Sequence, residues 1–216
     1  MIRPESDGWI GGLRQCGITE VYYLVPIGNL ESILHKGILS KSEVSAMSLE
    51  IQDFSERTVQ ERRMSFGFQD YVPFYFTKKT PMAYVQSRRG QTPYQCLLVV
   101  DVGKIVQQAE MLFFTNGNAA SRDTSHFDDP QKLPSELPLD VLRADYWTGF
   151  PDGKRKRSAE LLVYPKVFPD AIKTILLPDL NNFEDVKALI KRIKRKKSKS
   201  DRPSVPKLRL SSESFF

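Results

Sequence analysis

Few of the side chains that enzymes most often use for metals or nucleophiles are present. The chain has two histidines, His35 and His126, and two cysteines, Cys16 and Cys96, among 216 residues. They are too scattered for metal-ligand spacing or a disulfide framework. HExxH, CxxC and GxSxG are absent, which leaves metalloprotease, dithiol and hydrolase-elbow chemistry unsupplied. The glycine patterns of the dinucleotide-binding turn and the P-loop are absent as well. No run of roughly 18 apolar residues occurs, so no membrane-spanning helix is expected. The opening residues, MIRPESDGWIGG, lack the apolar stretch of a secretory signal. A cytoplasmic protein that needs no metal is the expectation.

Apolar residues make up 40% and aromatic residues 11%, enough to bury a sizeable core in one domain over residues 1–216. The net charge of +6 is unevenly placed. Residues 187–199, KALIKRIKRKKSK, hold eight lysines and arginines and no acid, so the remainder of the chain sits at −2. A second cluster, Lys154 to Arg157, is basic throughout. Concentrated positive charge attracts phosphate backbones or acidic partners. For the 187–199 tract a solvated helix face is the plain alternative.

Segments rich in β-branched and aromatic residues predict strands at 21–25, 71–77, 96–102, 111–115, 160–164, 172–177 and 207–210. Leu30, Ile33 and Leu34 share one helical face over 29–36, with Gly37 as C-cap. A short helix with proline at its start is expected at 81–86. Phe183, Val186, Leu189, Ile190 and Ile193 follow helical spacing after an Asn181 or Asn182 cap. Without regular βαβ alternation, these elements predict an α+β fold with a mixed, largely antiparallel sheet and short helices. Residues 40–70 and 116–158 read as long polar loops.

Glu160 opens the apolar stretch ELLVY directly after KRKRSA. A carboxylate at a strand end is usually solvated, but a rigid strand is also the support that a catalytic acid requires. The preceding loop, YWTGFPDG from Tyr146, interleaves aromatic rings with the basic cluster. Rings that stack on bases beside cations that meet phosphates form a single-strand nucleic-acid surface. This nominates Tyr146, Trp147, Lys154, Arg155 and Arg157; Trp147 can equally anchor the loop to the core. In QDYVPFYFTKKTPMAYV, Pro73 suggests an edge or a bulge, and its aromatic residues either build a slot for a planar ring or join the core. Arg62 and Arg63 precede that segment, and paired arginines over a slot can clamp a pyrophosphate.

Five stretches, taken in order, resemble the DarT family of toxins, ADP-ribosyltransferases that modify single-stranded DNA. They are VYYLVPIGNLESILHKGIL, QERR, DYVPFYFTKKTPMAY, TNGNAAS and YWTGFPDGKRKRSAELLVY. The resemblance implies an ADP-ribosyltransferase-like fold and NAD as co-substrate. It implies Glu160 as the catalytic glutamate and Arg63, rather than Arg62, as the arginine at the NAD site. It places Tyr75 beside the nicotinamide and Tyr23, Asn29 and the backbone of Leu24 and Val25 among the NAD contacts. At Tyr23 many members carry histidine; tyrosine offers its hydroxyl or ring face instead. The implied target is thymine in single-stranded DNA. The implied setting is a toxin–antitoxin or phage-defence pair with a macrodomain-type antitoxin. The readings to be separated from this are the same chemistry on RNA or another base, a silent nucleic-acid-binding module, and a protein-modifying transferase. In the implied reaction a carboxylate at Glu160 supports positive charge developing on the ribose and can accept a proton from the attacking base.

Overall fold

Stretches in which β-branched, leucine and aromatic residues run together become strands, and an eight-stranded sheet forms from them. The computed structural model describes residues 6–53, 57–196 and 206–216. In chain order the strands are β1 (Glu20–Pro26), β2 (Ile38–Leu39), β3 (Val72–Tyr75), β4 (Gln95–Asp101), β5 (Met111–Thr115), β6 (His126–Phe127), β7 (Glu160–Tyr164), β8 (Lys166–Val167), β9 (Ile172–Leu177) and β10 (Lys207–Leu210). The large sheet runs β10-β9-β4-β1-β3-β7-β5-β6, and β2 pairs with β8. β10 and β9 are parallel and the other pairs antiparallel. The expected mixed, largely antiparallel α+β architecture is the one observed.

The sheet is split. β1 registers with β4 along its whole length, from Glu20–Asp101 to Pro26–Gln95, yet meets β3 only at Tyr22–Tyr75. Two half-sheets therefore diverge from that single pair. Pro73 fits this arrangement. It has no N–H, it pairs with Leu162 on the β7 side, and β3 keeps only one full partner strand. The strand is interior in the sheet order but half-open towards β1, which is how an edge-like proline is accommodated.

The helices are α1 (Ser6–Gln15), α2 (Leu30–Lys36), α3 (Lys41–Ala46), α4 (Arg57–Ser65), α5 (Pro81–Arg88), α6 (Val102–Gln108), α7 (Leu133–Glu136), α8 (Leu139–Arg143), α9 (Gly153–Lys156) and α10 (Phe183–Lys196). Residues 40–70, expected as loop, carry α3 and α4, neither with a buried residue. Such helices have no apolar stripe to reveal them. Residues 116–158 likewise contain β6 and the short helices α7 to α9. α2 ends as expected at Gly37, whose φ of 93° suits glycine and whose N–H donates to Ile33 O at 2.8 Å. In α10, Val186, Ile190 and Ile193 are buried while Lys191, Arg192, Lys194 and Arg195 are exposed. That part of the basic tract is a solvated helix face, with Arg192 paired to Glu31 at 2.8 Å. Residues 197–199 lie outside the described residues. Among the described residues no helix is long and apolar enough to cross a membrane.

β7 is buried on both faces from Glu160 to Val163. Leu161 packs in the main core with Phe74 and Phe114, all three at 0% exposure. Leu161→Ala is expected to cost about 2–5 kcal/mol of stability, measured by denaturant unfolding. A loss below about 1 kcal/mol would contradict this packing.

Candidate active site

Glu160 is held from both sides at the start of β7. It registers with Tyr75 of β3, and Tyr75 registers with Tyr22 of β1, so the three form one row across the sheet. Its amide donates to Thr115 Oγ1 at 2.9 Å, and that hydroxyl donates to Gly117 O at 2.6 Å. The residue has no solvent exposure.

Arg63, near the end of α4, donates from Nη2 to Glu160 Oε2. Arg62 points away and is exposed. Glu160 Oε1 is the one buried side-chain polar atom without a hydrogen-bond partner among the described residues. Burial pushes the Glu160 carboxyl above the ordinary carboxylate range, and Arg63, helped by the nearby Ala119 backbone N–H, pulls it only part of the way back; that N–H lies outside good hydrogen-bond geometry to Oε1. Burial disfavours the Arg63 cation, but Glu160 first and Tyr75 next outweigh it and raise its pKa overall. The Tyr75 phenol is pushed up by burial and then by Glu160, and its hydroxyl donates to Met82 Sδ at 3.7 Å. Tyr23 is pushed up to about 12 by burial and the Asp53 carboxylate, against Arg63. These mutual influences put Tyr23, Arg63, Tyr75 and Glu160 in one neighbourhood, where the two half-sheets diverge.

The other NAD-side residues have mixed placements. Along Leu24 and Val25, β1 has no strand partner on its β3 side among the described residues. The Leu24 side chain itself packs with Leu97, Val99, Leu176 and Phe215. The Asn29 amide is engaged by Gln52. Its Nδ2 donates to Gln52 O at 2.8 Å and its Oδ1 accepts from Gln52 N–H at 3.0 Å, so it clamps the segment before α4.

The loop before Glu160 departs from expectation. Tyr146 is 62% exposed, as a stacking ring requires. Trp147 is an anchor. It meets Tyr84 and Phe216 edge-on at 6.2 and 5.8 Å. Its carbonyl lies so close to Gly153 that a Cβ there would come within 2.0 Å of it. Lys154 is exposed. Arg155 is a brace, with Nη1 donating to Thr124 Oγ1 at 3.2 Å and Asn116 Oδ1 at 3.3 Å. Arg157 is buried at 3% exposure, its Nε donating to Lys79 O at 2.9 Å and its Nη1 to Val141 O at 2.7 Å and Ala144 O at 2.5 Å. The expected row of free phosphate-neutralising side chains is thus corrected. α9 turns the cluster in several directions, and Arg155 and Arg157 face inward to backbone and side-chain acceptors.

Sequence reasoning missed Thr115 as the group that holds the Glu160 amide. It also missed Gly117, where a Cβ would come within 2.4 Å of the Arg155 guanidinium. Both lie in or beside TNGNAAS, which carried the signal. Among the described residues no group of three or more His, Cys, Asp or Glu side chains is placed to hold a metal ion.

The fold defines an ADP-ribosyltransferase class. It matches Thermus sp. 2.9 DarT in complex with ADP-ribosylated ssDNA with a TM-score of 0.78 at 22% identity, over 93% of this chain and 97% of that one. It matches the same protein in complex with NAD+ with a TM-score of 0.71 at 20% identity, over 92% of this chain and 98% of that one. A family model described as ssDNA thymidine ADP-ribosyltransferase, DarT, covers residues 22–205, and the chain belongs to that family. It is 30% identical over 166 residues to a DNA ADP-ribosyl transferase–DNA ADP-ribosyl glycohydrolase fusion protein of Thermosipho africanus. That alignment covers 74% of this chain and 42% of the fusion, so the chain spans less than half of that relative.

The raised carboxyl has a consequence for stability. Because Glu160 binds its proton more tightly when folded, its favourable contribution is complete below the unfolded value of 4.5 and declines as pH rises above it. Glu160→Gln removes that dependence. The melting temperature of the unaltered protein relative to Glu160→Gln should therefore fall as pH is raised from about 4 to 8. A difference independent of pH would contradict the shift.

The anchoring of Trp147 predicts that Trp147→Ala lowers stability by about 1–3 kcal/mol, two aromatic contacts being lost. NAD affinity should be unaffected. An unchanged melting temperature would return Trp147 to the role of a free stacking ring.

Proposed function

We propose that the protein transfers ADP-ribose from NAD to a thymine base in single-stranded DNA, with Glu160 as the catalytic carboxylate and Arg63 as its partner at the NAD site. The observation that carries the reading is the orphaned Glu160 Oε1. A buried carboxylate oxygen without a donor is rare and calls for an explanation. A ribose hydroxyl of NAD would supply that donor. Beyond Tyr22, β1 has no strand partner on its β3 side among the described residues, which leaves backbone groups there for an extended dinucleotide. NAD brings an N-glycosidic bond whose cleavage leaves positive charge on the ribose. Glu160, fixed by β7 and Thr115, stabilises that charge without having to reorganise, and it can take the proton of the attacking base.

The family description and the Thermus relative, solved with NAD+ and with ADP-ribosylated ssDNA, support this assignment. The Thermosipho relative joins its transferase to a DNA ADP-ribosyl glycohydrolase. That supports a toxin whose modification a macrodomain-type antitoxin removes.

The test incubates the purified protein with labelled NAD and separate pools of single-stranded DNA, duplex DNA, RNA and protein. Mass spectrometry then locates the adduct. Label on thymine in single strands is expected, with duplex a poor substrate because a paired base must first leave its stack. Label confined to RNA or protein would overturn the assignment. Arg63→Ala should weaken NAD binding by about 1.5–3 kcal/mol, the range for a charge-assisted hydrogen bond. Unchanged affinity by calorimetry would remove Arg63 from the NAD site.

A further inference from the structure

The row Tyr22–Tyr75–Glu160 ends at a cavity. Tyr22 lines an opening of about 580 Å³ whose walls include Lys78, Lys79, Arg143, Arg157 and Tyr146. Two strand spacings, about 10 Å, separate Tyr22 from Glu160 along the row. A single strand covers that distance in a few nucleotides.

The cavity is electropositive for a structural reason. Four cations line it against two carboxylates, Asp145 and Glu213. One of the cations, Arg157, is buried and bonded only to backbone carbonyls, those of Lys79, Val141, Leu142 and Ala144, with no ion pair among the described residues. A buried charge held by neutral carbonyls is only partly compensated by the Asp145 carboxylate nearby, and the remaining field extends into the space that it lines. Lys78 and Lys79, in the connection from β3 to α5, add charge at the surface, and both are partly exposed. Aromatic rings flank them. Lys78 Nζ lies 5.9 Å from the Tyr22 ring centroid and Lys79 Nζ 5.7 Å from that of Phe216. Tyr146 and Tyr84 are 62% and 45% exposed. Cations interleaved with exposed rings are what a single strand needs for its phosphates and bases.

We propose that this cavity binds the strand flanking the target base, with Lys78 and Lys79 contacting phosphates and Tyr146 stacking on a neighbouring base. The proposal rests on the DNA-directed function above and adds to it a contact region in which Lys78 and Lys79, from the connection between β3 and α5, join Tyr146 of the loop before Glu160. It predicts that affinity grows with strand length, because a short strand can fill the Glu160 site without reaching the lysines.

The test uses the full chain carrying Lys78→Ala together with Lys79→Ala. Folding is preserved, since Arg157 is held by the Lys79 carbonyl and not by its side chain. Fluorescence anisotropy compares single-stranded oligonucleotides of about four and about twelve nucleotides around one thymine, across a salt series. The unaltered protein should bind the longer strand more tightly. The double variant should lose most of that gain, and its salt slope on the longer strand should be shallower by about 0.7 for each lysine. NAD affinity by calorimetry should be the same in both. An equal length gain and equal salt slope in the double variant would overturn the proposal. So would weakened NAD binding with the length gain intact, which would assign the cavity to the diphosphate of NAD. The proposed function fails on a different result, an unaltered protein that places no ADP-ribose on any strand.

Discussion

The carboxylate of Glu160 is taken entirely out of water, and the guanidinium that meets it comes from a helix 97 residues earlier in the chain. Removing an ion from water costs several kcal/mol even after relaxation, and a partner charge offsets that only when the geometry is maintained. Much of the surrounding structure maintains it. β7 is covered on both faces, Thr115 fixes the first amide of the strand, and Tyr75 borders the carboxylate in register. α4 has no buried residue of its own and is held by polar ties, Arg63 to Glu160 and Gln60 to Asp53 among them. The compensation is incomplete: Oε2 is paired with Arg63, while Oε1 accepts no hydrogen bond of good geometry.

The same economy of contacts organises the segment before Glu160. A loop with its basic side chains free to meet phosphates was the expectation. Arg155 instead ties that segment to Asn116 and Thr124, Arg157 ties it to Lys79 and α8, and Trp147 packs between Tyr84 and Phe216. A segment fastened at three points holds the exposed Tyr146 and Lys154 in fixed positions. The fastening also leaves Arg157 as a buried cation lining the cavity at the Tyr22 end of the Tyr22–Tyr75–Glu160 row.

How legible this was in the sequence depended on whether burial left a pattern. The seven longer strands were readable because each is a run of β-branched, leucine or aromatic residues, and β7 could be placed to the residue. β2, β6 and β8, two residues each, carry too little pattern to be seen. α4, RTVQERRMS, was invisible because polar ties such as Arg63–Glu160 and Gln60–Asp53 hold it, and not an apolar face. α1 was hidden by its glycines, which lower helix propensity; Gly12 is needed there because a Cβ would come within 2.6 Å of the Pro130 carbonyl. Glu160, Arg63, Tyr75 and Tyr23 were named from the resemblance to a family, and the structure brings them together. Composition alone left Glu160 an ordinary strand end. The directions of Arg155 and Arg157 could not be read, since adjacent basic residues look alike until a helical turn separates them.

The most direct measurement of the central claim compares the unaltered protein with Glu160→Gln. Three quantities are needed on the same preparations: melting temperature near neutral pH, NAD affinity, and ADP-ribose transferred to a thymine-containing single strand. The account predicts a folded variant that still binds NAD and loses at least about a hundredfold in transfer, the scale of removing one preorganised electrostatic group. A folded Glu160→Gln protein that labels the strand at the unaltered rate would contradict it.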